Sequence, residues 1–156
     1  MQNLYHSARN LYTARVNFKE VLKAAVANRS LVRALAYVIR TESGEEKTFL
    51  EALTKIGIET RIKDLQIFPG GMKKADWDVG MAMDAVKLGN RIDAIVLMSG
   101  DGDFIPLIDY LHEVHGIQVE VMAFGRSSSQ KLKEVADEFV DLGADRKFLM
   151  RISEHQ

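Results

Sequence analysis

The stretch VLMSGDGDFIPLI, residues 96–108, indicates most directly how this chain folds and where its chemistry lies. Its first residues complete the apolar run IDAIVLM (92–98), which is short and rich in β-branched side chains and so predicts a buried strand. A serine and a glycine then predict a turn, and FIPLIDYLHEVHG (104–116) predicts a helix that ends at its glycine. Two aspartates, Asp101 and Asp103, lie between the strand and the helix.

The rest of the chain alternates between short apolar runs and longer helical segments. Residues 31–39 and 117–124 predict two further strands, and residues 58–68 predict a weaker one. Asn17 and Glu20 have the spacing of a capped helix start. Helices are predicted over residues 3–29, 43–57, 78–89 and 127–139. Because a helix between two strands returns the chain in the same direction, we predict an α/β fold with a doubly wound parallel sheet.

Composition and charge limit the kind of protein this is. The 156 residues suit a single domain, 1–156, and 47% hydrophobic with 28% charged residues is typical of a folded globular protein. The chain has no cysteine, which excludes a disulfide framework and a thiolate metal site. Without a secretory signal or an apolar membrane span, we expect a cytoplasmic enzyme or binding module that has no membrane partner. The net charge of −1 means that a local patch would have to bind any polyanion.

The loop after the strand at 92–98 is where a parallel sheet forms its binding sites. One of its aspartates can serve as a helix cap, which would explain Asp103 but leaves Asp101 unexplained. The preceding helix adds Asp78 at its positively polarised start and Asp84 inside an otherwise apolar run. Two interpretations of Asp84 stay open: a buried carboxylate that protein groups satisfy, or a ligand that faces a cation.

Carboxylates that converge on one crevice repel each other, and a hard divalent cation relieves the repulsion. Mg²⁺ or Mn²⁺ suits such oxygen ligands. Either cation polarises a phosphoryl oxygen and activates water, which is the chemistry of phosphodiester hydrolysis. The four histidines are scattered, and the motifs of nucleotide cofactors and serine hydrolases are absent from the sequence. The acidic groups therefore carry the main functional prediction.

Two basic segments are candidates for nucleic-acid binding. In GRSSSQ (125–130), the backbone N–H groups around Ser127 could hold a phosphate while Arg126 pairs with it. A plain helix cap made by the serines is the alternative. Lys73 and Lys74 precede the acidic helix and could follow a phosphate backbone, or they could form a solvated loop.

Three blocks of the sequence resemble the NYN domain, in its LabA-like branch, which belongs to the PIN-like nuclease superfamily. The blocks are QNLYHSAR (2–9), KKADWDVGMAMDAV (73–86) and SGDGDFIPLI (99–108), and they occur in the order found in that family. The resemblance implies a three-layer α/β/α sandwich with a mainly parallel, PIN-like sheet. It also implies a metal-dependent nuclease that acts on RNA.

The same resemblance assigns roles to individual residues. By position, Asp78, Asp101 and Asp103 match the acidic residues that bind the catalytic metal. Asn3 matches a polar residue after the first strand, and we expect it to orient the water or the scissile phosphate. Asp84 matches a second acid of the helix and is a further candidate metal ligand.

The sequence departs from the family pattern at its start. Family members precede the QNLY block with a hydrophobic strand that ends in an aspartate, whereas this sequence begins at Met1. We therefore expect a sheet without its central first strand and a metal site with one acid fewer. Such a sheet has two unpaired edges. Three explanations stay open: a truncated start, a second copy that fills the gap in a homodimer, or a different topology.

Two functions follow from these observations. The first is an Mg²⁺- or Mn²⁺-dependent endoribonuclease that cleaves single-stranded or structured RNA. The second is a non-catalytic RNA-binding or regulatory module on the same scaffold, suggested by the missing strand and the near-neutral charge.

Overall fold

The computed structural model describes residues 8, 14–40, 47–64, 66–67, 73–74 and 77–151 of the chain. Its described strands are β1 (Ala14–Val16), β2 (Leu35–Arg40), β3 (Glu59–Asp64), β4 (Gln66–Ile67), β5 (Lys73–Lys74), β6 (Ala94–Leu97), β7 (Gln118–Ala123), β8 (Glu138–Asp141) and β9 (Leu149–Arg151). Its described helices are α1 (Phe18–Val26), α2 (Lys47–Lys55), α3 (Asp78–Leu88), α4 (Ile105–Tyr110) and α5 (Gln130–Val135).

Five of these strands pair in parallel. β2 pairs with β3, and β6, β7 and β8 form a second parallel sheet in that order. Two short antiparallel pairs, β1 with β9 and β4 with β5, complete the described strands. The α/β class with a mainly parallel sheet is therefore confirmed.

The side chains of β2 show how helices cover both faces of the sheet. Ala36 and Val38 are fully buried in a cluster with Leu53 of α2, and α1 packs against the same cluster. Because successive side chains of a strand point to opposite faces, Tyr37 points the other way and reaches Asp84 of α3. α1 and α2 therefore lie on one face and α3 on the other, which makes three layers.

The larger hydrophobic core surrounds β7. Val119 and Val121 of this strand are buried together with Ile108 of α4, Leu132 of α5 and Phe124 just after the strand. Each such side chain stabilises the fold by roughly 1.5–3 kcal/mol relative to exposure. This well-packed half fixes the loops that leave the carboxyl ends of β6 and β7.

The two parallel sheets are not bonded to each other within the part of the chain that the structure describes. A cavity of about 630 Å³ lies between β2 and β6, and residues of both strands line it. Among the described residues, β2 pairs only with β3 and β6 pairs only with β7.

Two predicted helices are wrong in part. The helix predicted over 3–29 is interrupted by β1, which pairs with β9 at the other end of the chain. The capped start is confirmed, since the side chain of Asn17 accepts a hydrogen bond of 3.3 Å from the N–H of Glu20. The helix predicted over 127–139 ends at Val135, because the next residues pair with β7 as strand β8.

Candidate metal centre

The loop after β6 is held in place by its own hydrogen bonds. The Oγ of Ser99, which is buried, accepts from the N–H of Asp101 at 3.2 Å. Oδ1 of Asp101 in turn accepts from the N–H of Asp103 at 2.9 Å and caps the 3₁₀ turn Gly102–Phe104. The helix cap is therefore Asp101, and the assignment of that role to Asp103 is wrong. Capping uses Oδ1 and leaves the second carboxylate oxygen of Asp101 for another partner.

The start of α3 is fixed against the carboxyl end of β2. Trp77, immediately before the helix, donates a 3.1 Å hydrogen bond from its indole N–H to the carbonyl of Val38. Its ring also packs on Tyr37, with 5.6 Å between the ring centroids. A Cβ on Gly80 would lie 2.7 Å from the indole ring, so this close packing requires glycine. Together these contacts position Asp78, the first residue of the helix.

The two segments bring three carboxylates together, here called the aspartate cluster. Asp78, Asp101 and Asp103 each offer one oxygen, and all three oxygens lie within 4.8 Å of one another. Two like charges at that separation repel by about 1 kcal/mol in water and about 3 kcal/mol at a surface dielectric near 20. Ligands on opposite sides of Mg²⁺ are about 4.2 Å apart, so small side-chain rotations would let these oxygens share one cation.

Asp84 lies elsewhere and has protein partners. The hydroxyl of Tyr37 donates to its Oδ2 at 2.7 Å, and Nε of Arg61 lies 3.2 Å from the same oxygen. Burial and the hydrogen bond to Asp84 raise the pKa of Tyr37 above its ordinary value, which keeps the phenol protonated as the donor. These contacts match the interpretation of Asp84 as a satisfied carboxylate. Its role as a metal ligand stays a prediction.

The turn that carries Arg126 and Ser127 follows β7 and lies beside the aspartate loop. The N–H of Ser129 donates to the carbonyl of Gly100 at 2.9 Å. A Cβ on Gly100 would lie 2.3 Å from the Oγ of Ser128, so the two loops touch at a position that only glycine can occupy. This turn and the aspartate cluster thus lie on neighbouring strand ends. The helix-cap alternative is confirmed, since the Oγ of Ser129 accepts from the N–H of Leu132 at 3.3 Å and caps α5, whereas phosphate binding stays a prediction.

Sequence reasoning missed two residues that shape this turn. Oδ1 of Asp141, at the end of β8, accepts from the N–H groups of Gly125 at 3.0 Å and Gly143 at 2.8 Å. Nζ of Lys133 donates to the carbonyl of Gly125 at 2.9 Å. The available signal was the segment EFVD (138–141), in which two apolar residues precede an acid, and the helix predicted over 127–139 concealed it.

Three further predicted site residues are Lys73, Lys74 and Asn3. Lys73 and Lys74 form β5, and the structure describes their backbone pairing with β4. Asn3 lies outside the described residues. The roles of all three stay predictions. No helix within the described ranges is long and apolar enough to cross a membrane.

Comparisons with known proteins identify the family. A family model of the NYN domain matches residues 1–143. The chain belongs to the NYN domain family. The chain is also similar to the low amplitude and bright protein LabA of Synechococcus elongatus, with 28% identity over 132 residues, which cover 79% of this chain and 70% of that protein. NYN domains are a PIN-like nuclease family, so the resemblance inferred from the three blocks is confirmed.

A solved structure supports the fold. The crystal structure of a protein of unknown function from Vibrio parahaemolyticus matches with a TM-score of 0.87 and 32% sequence identity. The match covers 96% of this chain and 91% of the Vibrio chain. The match supports the mixed α/β fold over nearly the whole length of both chains, and this fold is consistent with a PIN-like one.

Proposed function

We propose that this NYN domain is a metal-dependent ribonuclease that hydrolyses RNA phosphodiester bonds at the aspartate cluster. The observation that supports this most strongly is the approach of three carboxylate oxygens, from Asp78, Asp101 and Asp103, to within 4.8 Å. Membership of a nuclease family supports the reaction class. The gathered charges repel unless a cation joins them, which favours a site that binds metal.

The donor set suits Mg²⁺ or Mn²⁺. It consists of carboxylate oxygens alone, and hard divalent cations prefer such ligands. A divalent cation bound there would polarise a phosphoryl oxygen and lower the pKa of a water molecule that attacks the phosphorus. Asp78 is half-buried and fixed by the start of α3, while Asp103 is exposed. The half-buried side of the cluster would therefore hold the cation, and its exposed side would be open to RNA from the solvent.

Substrate contacts would come from the surrounding basic residues. Arg126 and Ser127 lie on the turn beside the aspartate loop, where the guanidinium of Arg126 would pair with a phosphate, while the N–H of Ser127 donates within the turn to the carbonyl of Phe124 at 3.1 Å. Lys73 and Lys74 would follow the RNA backbone. We assign to Asn3 the orientation of the water or the scissile phosphate. With a net charge of −1, the chain depends on these local groups to bind RNA.

Cleavage of labelled RNA tests the proposal. Single-stranded and hairpin RNAs are incubated with the protein in Mg²⁺, in Mn²⁺ and in EDTA. We expect cleavage that requires the cation and that falls by about 100-fold or more in Asp101→Asn, because the loss of one ligand removes several kcal/mol of transition-state stabilisation. Asp109→Asn, which makes the same change at an exposed residue of α4, should cleave like wild type. Equal cleavage by wild type and Asp101→Asn would remove the proposed role.

A second candidate function is a non-catalytic RNA-binding or regulatory module, favoured by the net charge of −1 and, among the described residues, by the pairing of β2 and β6 on one edge only. In that case the same RNAs would bind without being cleaved, and EDTA would leave binding unchanged. Asp101→Asn would then bind RNA as well as wild type or better, because it removes a negative charge near the phosphates.

A further inference from the structure

Half of the exposed large hydrophobic side chains in the described part of the chain lie on two neighbouring helices. Eight such side chains are exposed there, and four of them are Val79, Met83, Tyr110 and Val114. The first two belong to α3, the third ends α4, and the fourth lies in the π-helical turn Leu111–His115 that continues α4. Single exposed apolar residues are ordinary, whereas a contiguous group of them marks an interaction site.

The two helices run side by side in the same direction. Both begin at the aspartate cluster, because Asp78 is the first residue of α3 and Asp103 lies two residues before α4. They also meet at their other ends, where a Cβ on Gly89 would lie 2.7 Å from the ring of His115. α3 and α4 are therefore parallel neighbours, with a groove between them.

Val79 and Met83 border this groove from α3. They are four residues apart and so share one side of the helix. Asp84 is turned toward β2 and β3, where it contacts Tyr37 and Arg61. Because successive residues of an α-helix are rotated by about 100°, Met83 and Val79 are turned about 100° and about 140° away from Asp84. Both side chains therefore lie on the side of α3 that is remote from those strands and next to α4.

Tyr110 and Val114 border the groove from α4. The ring of Tyr110 packs on His115 with 5.5 Å between the ring centroids, and His115 contacts the chain just after α3. Val114 lies four residues after Tyr110, on the same side. His112 is turned the other way, toward Asp137 beside β8, the strand farthest from β6 in that sheet. The four apolar side chains thus line one groove that is open to solvent.

The two helices expose opposite charges beside the groove. On α3, Lys87 lies one turn beyond Met83 and is exposed. On α4 and its π-helical turn, Asp109 and Glu113 are exposed. No ion pair within the described ranges involves Lys87, Asp109 or Glu113. These charges are therefore available to a partner.

A second copy of the chain matches this surface when the two-fold axis runs along the helices. α3 of one copy then packs on α4 of the other, and residues at the same height meet. Helices rise about 1.5 Å per residue, so Lys87, nine residues into α3, is level with Glu113, eight residues into α4. We infer that two copies of this chain associate through the groove, with its apolar residues at the centre and Lys87 of each copy paired with Glu113 of the other.

The antiparallel arrangement has the wrong charges. A two-fold axis across the helices would pack α3 on α3 and α4 on α4. Lys87 would then meet Val79 of the other copy, and the two copies of Asp109 would approach each other. Charge complementarity therefore selects the parallel arrangement, in which both aspartate clusters lie at the same end of the dimer.

The size of the face sets the expected affinity. α3 has 11 residues and is about 16 Å long, and two helices side by side are about 20 Å wide. Such a face is at the small end of specific interfaces, so we expect a dissociation constant in the micromolar range. The inference does not require that the aspartate cluster cleave RNA, because the groove and the cluster use different side chains.

Analytical ultracentrifugation of the whole chain, from about 1 μM to about 500 μM, tests the inference. We expect a monomer–dimer equilibrium that Met83→Asp weakens by about tenfold or more, because a carboxylate would enter the apolar centre. Met150→Asp makes the same change at an exposed methionine of β9 and should dimerise like wild type. Circular dichroism checks that both variants are folded. Equal weakening by the two substitutions would overturn the inference. So would a wild type that stays monomeric throughout, and the groove would then be a site for a different protein.

A charge exchange tests which helices meet. Lys87→Glu and Glu113→Lys should each weaken the dimer by about fivefold, because each change acts twice in a symmetric dimer and places like charges together. The double variant restores both ion pairs and should regain the wild-type affinity within about threefold. A double variant as weak as the single ones would overturn the inferred arrangement. A tighter dimer in Glu113→Lys alone would also overturn it, since that result is expected when α4 packs on α4.

Discussion

Helix α3 places one aspartate at the carboxyl end of β6 and another on one face of β2, and the surroundings of these two carboxylates differ. On β2, Asp84 meets a phenol and a guanidinium, those of Tyr37 and Arg61. At the end of β6, Asp78 meets two further carboxylates, Asp101 and Asp103. One helix thus carries an acid that the protein satisfies and, six residues earlier, an acid that it surrounds with like charge.

The difference teaches how to separate structural acids from functional ones in this fold. A half-buried carboxylate with a hydroxyl donor and a guanidinium close by has its charge compensated without any ligand. Carboxylates that face one another repel and lower stability until a cation binds between them. The two regions should therefore respond in opposite ways when their charge is removed.

The largest effect on stability is expected at Asp84. Asp84→Ala leaves the hydroxyl of Tyr37 and the guanidinium of Arg61 without their acceptor, and should lower the free energy of unfolding by about 1–3 kcal/mol. Asp103→Ala removes one of three repelling charges and should leave stability unchanged or slightly higher. Both are measured by urea unfolding in EDTA. Equal destabilisation by the two substitutions would show that the cluster, too, is a satisfied structural group.

A smaller effect on stability is expected at a third acid, Asp137, which lies at the opposite, amino end of the parallel strands. Asp137 accepts a 2.7 Å hydrogen bond from the N–H of Val119, and Nε2 of His112 lies 2.7 Å from the same oxygen. The Val119 hydrogen bond, with a lesser contribution from His112, lowers the pKa of Asp137 below its ordinary value of 3.8. Its stabilisation is therefore present above pH 3.8 and is lost as pH falls through the lower, folded-state pKa.

Asp137→Asn should therefore destabilise the protein near neutral pH, and the difference from wild type should shrink as the solution is acidified below about pH 4. Because the side chain is 41% exposed, solvent screens the interaction and we expect only about 0.5–1 kcal/mol. Urea unfolding at pH 7 and pH 3.5 measures both values. A difference that grows on acidification would contradict the assignment, since it would require a raised pKa.

The sequence predicts those parts of the molecule whose determinants are local. The apolar runs of β2, β6 and β7 are long enough to identify, and the segment from Asp78 to Gly89 forms a helix within one residue of its prediction. The convergence of Asp78 with the aspartate loop follows from a general property of parallel sheets, whose strand ends share one edge. The sequence alone therefore predicts the fold class and the aspartate cluster.

What escaped prediction depends on contacts between distant segments. β1 and β9 have three residues each and exist because they pair across almost the whole chain. From sequence alone, the first residues of β8 predict the end of a helix. They form a strand because they pair with β7. The partners of Asp84 come from two other strands, 47 residues away in the case of Tyr37. The cap at Asp101 rather than Asp103 depends on loop geometry that residue types alone do not specify.

The central claim is that three aspartates from two separate segments share one divalent cation. Calorimetric titration with Mn²⁺ of wild type, Asp101→Asn and the exposed control Asp109→Asn tests it most directly. We predict one bound ion per chain, an affinity about tenfold or more weaker in Asp101→Asn, and wild-type affinity in Asp109→Asn. Equal Mn²⁺ affinity in wild type and Asp101→Asn, or no binding by wild type at millimolar Mn²⁺, would contradict it.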